Sequence, residues 1–184
     1  ARKRQSTRAL VDLNEIIRET LNLRAYEQRI TNITVIPALA AGLPAVFADG
    51  HQVKQVLLNL LMNAEQAMLG ANGRGTILIK TRKKRNKIEI LFKDDGPGIS
   101  RDVIHKVFDP FFTTKDVGKG TGLGLSITHG IVTEHGGTID IASADEGGAV
   151  AVLRHLGLQP QQAAQDPVKG AHAFAALVEP GPDG

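Results

Sequence analysis

The chain has 184 residues, of which 42% are hydrophobic and 22% charged, a balance typical of a folded soluble domain. It contains no cysteine, which excludes a disulfide framework and any site built on thiolates. No stretch approaches the roughly 20 apolar residues that span a bilayer, and the start, ARKRQSTRAL, lacks the apolar core of a signal peptide. We therefore expect a soluble fragment that makes no membrane contact and is compatible with the cytoplasm.

Positive charge is concentrated in one segment. The net charge is +3, and much of the excess lies between Lys80 and Lys87. Such a cluster is one way to contact a nucleic-acid backbone. However, alternating apolar residues flank it on both sides, and Asn86 suits a turn. The pattern therefore favours a solvated β-hairpin tip, and we expect no nucleic-acid partner.

The first predicted elements are a helix and two short strands. Residues 1–10 are interpreted as the end of an upstream segment. An amphipathic helix is predicted from Asp12 to about Gln28, and the strands follow at ITVIPAL and PAVFAD. The apolar face of this helix is assigned to Leu13, Ile16, Ile17, Leu21 and Leu23.

A second, longer helix is predicted to begin at Gly50 or His51. Asp49 is a good N-cap residue, and Gln52 can complete a capping box. Asn59 and Asn63 are spaced to lie on the same side of this helix, at the margin of its apolar stripe and at the edge of a cleft. The stripe consists of Val53, Val56, Leu57, Leu60, Leu61, Ala64 and Met68.

The remaining chain is predicted to alternate between strands, loops and one more helix. Strands are expected at 75–82 and 87–94, and a short helix at 102–107. Residues 108–120 are interpreted as a mobile loop because their hydrophobic residues follow neither a helical nor a strand period. A helix at 123–135 and the strands TIDIAS and AVAVL then close the domain, before a tail rich in Gln, Ala, Pro and Gly begins near residue 158.

Four separate motifs carry the chemical signal. They are Asn59-x-x-x-Asn63 on a helix, Asp94-x-Gly96-x-Gly98 at a strand end, FDPFFTTK, and GKGTGLGLS before a helix. Neither a Walker motif nor the Rossmann glycine spacing is present. Each motif alone is common in ordinary helices and turns. Their occurrence together in this order is what indicates a nucleotide site.

With these four motifs, the chain resembles the catalytic ATP-binding domain of sensor histidine kinases, within the gyrase, chaperone, histidine kinase and MutL superfamily. HQVKQVLLNLLMNAEQAM is similar to the family's N box, DDGPGI to its first glycine box, FDPFF to its F box and GTGLGLS to its second glycine box. FFTTK is typical of the nitrogen-sensor branch. The six histidines show no metal-ligand spacing and no phosphoacceptor context, so all are interpreted as structural or surface residues.

The resemblance implies a fold and a domain organisation. The fold class is α+β, a two-layer α/β sandwich of the Bergerat type, in which a mixed, mostly antiparallel sheet packs against helices and a mobile lid covers ATP. Residues 1–10 would be the end of an upstream dimerisation and phosphoacceptor helix, residues 11–157 the catalytic domain, and residues 158–184 a linker or disordered tail.

The resemblance also assigns residues to the base and to a metal. Asp94 would accept a hydrogen bond from the adenine amino group, and Ile99 would pack near the ring. Gly96 and Gly98 let the backbone turn sharply beside the base. Mg²⁺ prefers hard oxygen ligands and retains several waters, so the side-chain oxygen of Asn63 together with phosphate oxygens is an adequate site.

The phosphates are expected at the start of the helix after the second glycine motif. There, free N–H groups and the positive helix end favour anions. Lys115 or Lys119 would pair with the terminal phosphate, and Lys115 is favoured; Phe108, Phe111 and Phe112 would anchor the lid by burying aromatic surface. The predicted catalytic residues are Asn59, Asn63 and Lys115, and the predicted nucleotide-binding residues are Asn63, Asp94, Gly96, Gly98, Ile99, Phe112, Lys119, Gly120, Thr121, Gly122, Leu123, Gly124 and Leu125.

The reaction follows from the residue at position 59. In the hydrolysing branches of the superfamily a glutamate stands there and activates water, whereas the amide of Asn59 cannot act as a base. We therefore expect a kinase rather than a hydrolase. The resemblance implies that it binds Mg-ATP and transfers the γ-phosphoryl group to a histidine on a separate dimerisation domain, for relay to a response regulator. The fragment alone should bind ATP but should not label itself.

Three alternatives remain open from the sequence. One is a serine-phosphorylating anti-sigma kinase of the same fold, and another is nucleic-acid binding through the basic segment. The third is a regulatory module that binds ATP without transferring it. Its support is the last strand, where Ala151 stands at a position usually held by phenylalanine and HLGLQP replaces the usual Leu-Pro ending.

Overall fold

The computed structural model describes residues 7–85, 87–115, 120–144 and 147–154. Among these residues, no helix is long and apolar enough to cross a membrane. The elements follow the order β1 (Ala9–Val11), α1 (Leu13–Ile30), β2 (Ile33–Ala38), β3 (Val46–Ala48), α2 (Gly50–Asn72), β4 (Gly75–Lys84), β5 (Lys87–Asp94), a short 3₁₀ helix (Ile104–Lys106), α3 (Gly124–Glu134), β6 (Thr138–Ser143) and β7 (Ala149–Arg154).

Five of the strands form one mixed sheet in the order β2-β4-β5-β7-β6. β2 and β4 are parallel, and the other three pairs are antiparallel. The three helices share one hydrophobic core with one face of this sheet. The predicted α+β architecture, with a mostly antiparallel mixed sheet packed against helices, is thereby confirmed.

Helix α2 is defined by its own sequence. The side chain of Asp49 accepts hydrogen bonds from the backbone N–H groups of His51 and Gln52, at 3.0 and 3.2 Å. At the other end, Gly73 adopts a left-handed conformation with φ of 67°, which ends the helix. The predicted start is confirmed. Its predicted apolar stripe is also confirmed, since all of these residues are buried except Ala64, which is half-buried against the core.

His135 joins the beginning of α2 to the end of α3. Its Nε2 accepts the backbone N–H of Asp49 at 3.0 Å, and its Nδ1 lies 2.8 Å from the carbonyl oxygen of Ile131. These two bonds assign the neutral tautomer with a proton on Nδ1. The ring is 3% exposed. This histidine is therefore structural, as predicted.

The start of the chain differs from the sequence interpretation. Residues 7–10 do not end a helix, because β1 pairs antiparallel with β3 and places Leu10 opposite Phe47. In addition, the backbone N–H of Thr7 donates to the carboxylate of Asp49 at 3.1 Å. A strand of three residues is too short to show a period, and its partner lies far along the chain. Residues 1–6 lie outside the described residues.

Two local predictions also need correction. Leu23 does not belong to the buried face of α1, because its side chain is 60% exposed and the buried stripe continues through Thr20 and Gln28 instead. The short helix predicted at 102–107 is a single 3₁₀ turn at Ile104–Lys106, preceded by turns.

The last strand is fully paired, although Ala151 stands where the family usually has phenylalanine. β7 pairs with β5 on one side and β6 on the other, and Ala151 lies opposite Phe92 and Ile141. Ala151 is 8% exposed and belongs to the core. The small side chain is therefore accommodated without loss of the strand, while the segment HLGLQP lies outside the described residues.

The basic segment forms the tip of the β4–β5 hairpin, as the alternating pattern predicts. Lys83, Lys84 and Arg85 are exposed there. Arg82 is different, because its Nε donates to the buried carboxylate of Glu89 at 2.6 Å. Asn86, predicted at the turn, lies outside the described residues.

Candidate functional site

A cavity of about 600 Å³ lies between α2, the sheet and the loop that precedes α3. It brings together most of the residues predicted from the four motifs. The predicted residues that line it are Asn59, Asn63, Asp94, Gly98, Ile99, Phe112, Lys115, Gly120, Thr121, Gly122, Gly124 and Leu125. Gly96 and Leu123 do not line the cavity, and Lys119 lies outside the described residues.

One end of the cavity, here called the sheet end, is built around Asp94 at the end of β5. Its Oδ1 accepts two backbone N–H groups, from Gly96 at 3.0 Å and from Ala149 at 3.1 Å. Its Oδ2 has no hydrogen-bond partner among the described residues. Burial raises the pKa of Asp94, and the two N–H groups partly offset this. A fixed carboxylate oxygen is thus left available at the cavity wall.

Residues at the end of β6 and just before β7 hold the sheet end in place. The hydroxyl of Ser143 accepts the N–H of Ile99 at 2.8 Å and donates to its carbonyl at 2.6 Å. A Cβ at Gly98 would approach the carbonyl oxygen of Gly148 to 2.9 Å, and a Cβ at Gly148 would overlap the carbonyl of Asp94. Both glycines also have positive φ. Two distant segments can therefore meet only because these side chains are absent.

The predicted role of Gly96 changes with this geometry. It does not face the cavity, but its N–H orients Asp94, and a Cβ there would lie 3.0 Å from Asp94 Oδ1 and 3.2 Å from Met68 Cγ. It therefore acts behind the carboxylate rather than beside a ligand.

The walls between the two ends of the cavity are largely apolar. A wall of this kind, with few polar groups, suits a flat and mostly apolar ring. The residues that provide it include Leu60, Ile77, Phe92, Val107, Ile141 and Ala151.

The opposite end of the cavity, here called the helix end, is formed by the start of α3 and the preceding loop. Leu123 is the N-cap residue of α3 and provides no side-chain hydrogen bond to the first turn. The first N–H groups of an α-helix have no partner within the helix, and Gly124 and Leu125 line the cavity. This end therefore presents N–H groups and the positive end of a helix dipole, which together suit an anion.

Gly122 closes the loop at this end. The N–H of Phe111 donates to the carbonyl of Gly122 at 2.9 Å, and a Cβ on Gly122 would lie 2.6 Å from the carbonyl oxygen of Phe111. Gly122 also has φ of +66°. Glycine at this position allows the two ends of the segment 111–122 to touch, a role that the anion-binding interpretation did not foresee.

The two asparagines of α2 have different environments. Asn59 Nδ2 donates to the carbonyl of Gly124 at 3.0 Å and to the hydroxyl of Thr128 at 3.2 Å, so this amide ties α2 to α3. Asn63 lines the cavity and makes no hydrogen bond with the described residues. Its amide oxygen is therefore available to a ligand near the helix end.

Lys115 reaches the cavity from the loop. Its Nζ donates to Oε1 of Gln66 on α2, and burial lowers the pKa of its ammonium group. The stem of Lys115 packs against Gly120, where an added Cβ would lie 3.1 Å from Lys115 Cδ. The structure thus places this lysine at the helix end, beside Gly120, and its pairing with a terminal phosphate is still a prediction.

The three phenylalanines of FDPFF do not act alike. Phe108 packs against the core, with its ring centroid 5.0 Å from that of His129, and Phe112 lines the cavity. Phe111 does not bury aromatic surface, because its side chain is 75% exposed and its φ of 67° lies in the left-handed region. Its backbone bond to Gly122 accompanies this conformation, so the prediction for Phe111 is corrected.

Sequence reasoning missed three contributors to the site. Ser143 and Ala149 lie 44 and 55 residues from the groups they hold, and no local pattern marks them. Gln66 could have been recognised from the sequence, because it follows Asn63 by three residues and lies on the same side of α2.

Comparison with known proteins identifies the family. Residues 48–160, more than half of the chain, match the family described as histidine kinase-, DNA gyrase B-, and HSP90-like ATPase. The sensor histidine kinase ZraS of Escherichia coli (strain K12) is 38% identical over 143 residues, which is 78% of this chain and 30% of that protein. The chain spans less than a third of the length of the curated relatives that it matches first.

Solved structures agree with this assignment. The catalytic domain of histidine kinase ThkA is 34% identical, with a TM-score of 0.74, over 85% of this chain and 99% of that one. ThkA in complex with the response regulator protein TrrA is 31% identical, with a TM-score of 0.69, over 82% of this chain and 42% of that one. The resemblance carried by the four motifs is confirmed, and the chain belongs to the family of histidine kinase-, DNA gyrase B- and HSP90-like ATPases.

Proposed function

We propose that this chain is the catalytic domain of a sensor histidine kinase, which binds Mg-ATP and transfers the γ-phosphoryl group to a histidine on a separate dimerisation domain. The observation that carries the proposal is a single cavity with Asp94 at its sheet end and an uncapped helix beside Lys115 at its helix end. The first is a specific acceptor for the adenine amino group, and the second suits phosphates. ATP would span the two.

The charges around the cavity favour transfer over hydrolysis. Among the described residues that line it, Asp94 is the only carboxylate, and its Oδ1 is held by backbone N–H groups at the sheet end. Asn59, at the position where hydrolysing relatives carry a glutamate, is an amide that donates to α3. Apart from Lys115, which is proposed here as a phosphate-binding cation, no described lining residue at the helix end can take a proton from water. The acceptor must then bring its own activation, as a histidine on another segment would.

The residues of this chain would act by positioning. The start of α3 and Lys115 would fix the terminal phosphates, so that the γ-phosphoryl group lies in line with an incoming nitrogen. Asn59 would keep α2 and α3 at the spacing that this requires. This mechanism needs no covalent step on the chain, which is why the fragment alone should remain unlabelled.

A metal ion fits the same arrangement. Asn63 offers one free amide oxygen at the cavity wall, and Mg²⁺ is commonly held by one or two protein oxygens together with phosphates and waters. When bound, Mg²⁺ would neutralise charge on the phosphate oxygens.

The relatives support the partners that we propose. ZraS is a sensor histidine kinase, and ThkA has been solved with a response regulator protein. We propose a phosphoacceptor domain as the immediate partner, a response regulator as the next, and the cytoplasm as the location.

The proposal is tested by binding and by transfer. Calorimetric titration of ADP and a non-hydrolysable ATP analogue, with and without Mg²⁺, should show binding that is strengthened by the metal, and Asn63→Ala should remove the metal effect. With ATP and the phosphoacceptor domain of the parent protein, the label should appear on that domain and be labile to acid. A base-labile product would instead indicate serine transfer, and binding without any transfer would favour the regulatory module.

A further inference from the structure

We propose that Gln66 is a positioning residue, which holds Lys115 at the helix end of the cavity so that its ammonium group meets the terminal phosphate. The inference rests on the proposed function and adds a residue to it. Gln66 lies on α2, on the same side as Asn63, and both side chains line the cavity. The metal ligand proposed above and the holder of the lysine would therefore share one rigid helix face.

The first argument is the contact itself. Nζ of Lys115 donates to Oε1 of Gln66, which links the loop before α3 to the second half of α2. A lysine side chain has a flexible stem of four carbons and loses much conformational freedom when its ammonium group is held in one place. A partner on a helix supplies this fixation before the nucleotide arrives, and the entropy loss then no longer opposes phosphate binding.

The second argument is that the loop is shaped for this lysine. A Cβ at Gly120 would lie 3.1 Å from Cδ and 3.4 Å from Cβ of Lys115. The backbone N–H of Lys115 also donates to the hydroxyl of Thr113 at 3.2 Å. These loop contacts hold the backbone and the stem of Lys115 while its ammonium group reaches Gln66 on α2. The half-buried ammonium group has a lowered pKa because burial disfavours its charge.

The third argument is the chemistry of the partner. An amide oxygen accepts a hydrogen bond from the ammonium group but does not neutralise its charge. A glutamate at the same position would form an ion pair with Lys115 and would repel a phosphate. Glutamine thus orients the cation and leaves its charge available, which is the arrangement that a phosphate-binding lysine needs.

The consequence is a preference between nucleotides. A residue that acts through Lys115 on the terminal phosphate should affect a triphosphate more than a diphosphate, whereas a residue that merely stabilises α2 should affect both alike. The ratio of the Kd of ADP to that of a non-hydrolysable ATP analogue therefore isolates the positioning role.

The experiment is a double-mutant cycle on the 184-residue chain. We expect Gln66→Ala to lower the preference for the ATP analogue about three- to tenfold, as the loss of one solvent-exposed hydrogen bond of ordinary strength implies, and to change ADP binding little. In the Lys115→Met background the same change should have no further effect. Gln66→Glu should lower the preference more than Gln66→Ala does.

A matched control is Gln55→Ala, which removes the same side chain from an exposed position of α2 away from the cavity and should leave both affinities unchanged. An equal loss for both nucleotides, or an undiminished effect of Gln66→Ala in the Lys115→Met background, would overturn the inference. If the wild-type chain binds the nucleotides but Gln66→Ala keeps the wild-type ratio, only the inference fails. If the folded wild-type chain binds neither nucleotide, the proposed function fails with it.

Discussion

The two ends of the cavity are built in different ways. At the sheet end, Asp94 is held by the backbone N–H groups of Gly96, just after β5, and of Ala149, the first residue of β7. Two glycines there lack the Cβ atoms that would separate the segments. At the helix end, the contacts come from an uncapped helix start, from a loop and from Lys115, a flexible side chain. The first arrangement is fixed by the sheet, whereas the second depends on side chains and a loop.

This difference indicates a division of labour. A rigid carboxylate can select a base by the position of its hydrogen-bond donor, because the cost of ordering it is already met by folding. A pliable end can adjust to phosphates whose charge and number change during phosphoryl transfer. Substitutions at the sheet end should therefore weaken the binding of all adenine nucleotides alike. Substitutions at the helix end should weaken binding by an amount that depends on the number of phosphates in the ligand.

The largest effect is expected at the sheet end, where Gly148 packs against the backbone of Asp94. Gly148→Ala would place a Cβ against the carbonyl of Asp94 at a backbone φ of +88°. We expect a loss of about 3 kcal/mol or more in the free energy of unfolding, measured by urea denaturation. Gly147→Ala is the control, because its φ of +94° is similar but its Cβ would meet none of the described residues within 4 Å. It should cost about 1 kcal/mol, and equal losses would contradict the close approach.

Asp94→Asn should separate binding from folding. The amide oxygen can still accept the N–H groups of Gly96 and Ala149. The NH₂ group then replaces Oδ2, and because it is a donor it leaves the adenine amino group without an acceptor. We expect about 100-fold weaker calorimetric binding of adenosine, ADP and the ATP analogue alike. Stability should not fall, because a buried charge is removed. Asp95→Asn is the exposed control and should bind normally; selective loss of the ATP analogue alone would refute the assignment.

The raised pKa of Asp94 gives this end a pH dependence. Burial is the main cause of the shift, so the carboxyl group takes up a proton at a higher pH than an ordinary aspartate. Protonation removes an acceptor, and affinity for all adenine nucleotides should fall as the pH is lowered through this pKa. The pKa of Asp94 is higher in the folded chain than in the unfolded chain, so its contribution to the free energy of unfolding should rise as the pH is lowered through the same range. Calorimetry at several pH values tests this, and Asp94→Asn should remove the dependence.

At the helix end, substitutions of two nearby glycines are expected to have opposite outcomes. Gly122→Ala would force the loop away from Phe111, because the new Cβ would lie 2.6 Å from its carbonyl oxygen. We expect about tenfold weaker binding of the ATP analogue, with adenosine little affected, as a strain of one to two kcal/mol implies. Gly124→Ala has its nearest neighbour at 3.8 Å, Nδ2 of Asn63, and should be tolerated. An equal loss of affinity for adenosine and for the ATP analogue in Gly122→Ala would show that the loop does not act on phosphates.

The sequence predicts elements whose signals are local. α2 carries its own cap at Asp49 and its own apolar stripe, so its start and buried face are recognised without knowledge of the rest of the fold. β1 carries no such signal, because three residues show no period and the strand forms only through β3. Leu23 was misplaced because hydrophobic character alone does not fix a position on the helix.

The same distinction applies to the site. Asp94 and the glycines around it stand close together in the chain, and their chemistry is visible as a motif. Ser143 and Ala149 hold the same motif from far along the chain, through bonds that only the folded sheet creates. Phe111 was assigned to the buried set from its residue type, whereas its backbone bond to Gly122 accompanies an exposed ring.

The smallest effect is expected from the hydroxyl that secures the sheet end. Ser143→Ala removes both hydrogen bonds to the backbone of Ile99, but this region is exposed, so water can replace them. We expect about threefold weaker binding, equal for adenosine, ADP and the ATP analogue, since such bonds contribute roughly 0.5–1 kcal/mol. Ser126→Ala is the counterpart at the helix end, where the hydroxyl donates to the carbonyl of Leu123 at 2.9 Å. Its effect should be confined to ligands that carry phosphates, and an adenosine affinity that falls with Ser126→Ala but not with Ser143→Ala would reverse the assignment of the two ends.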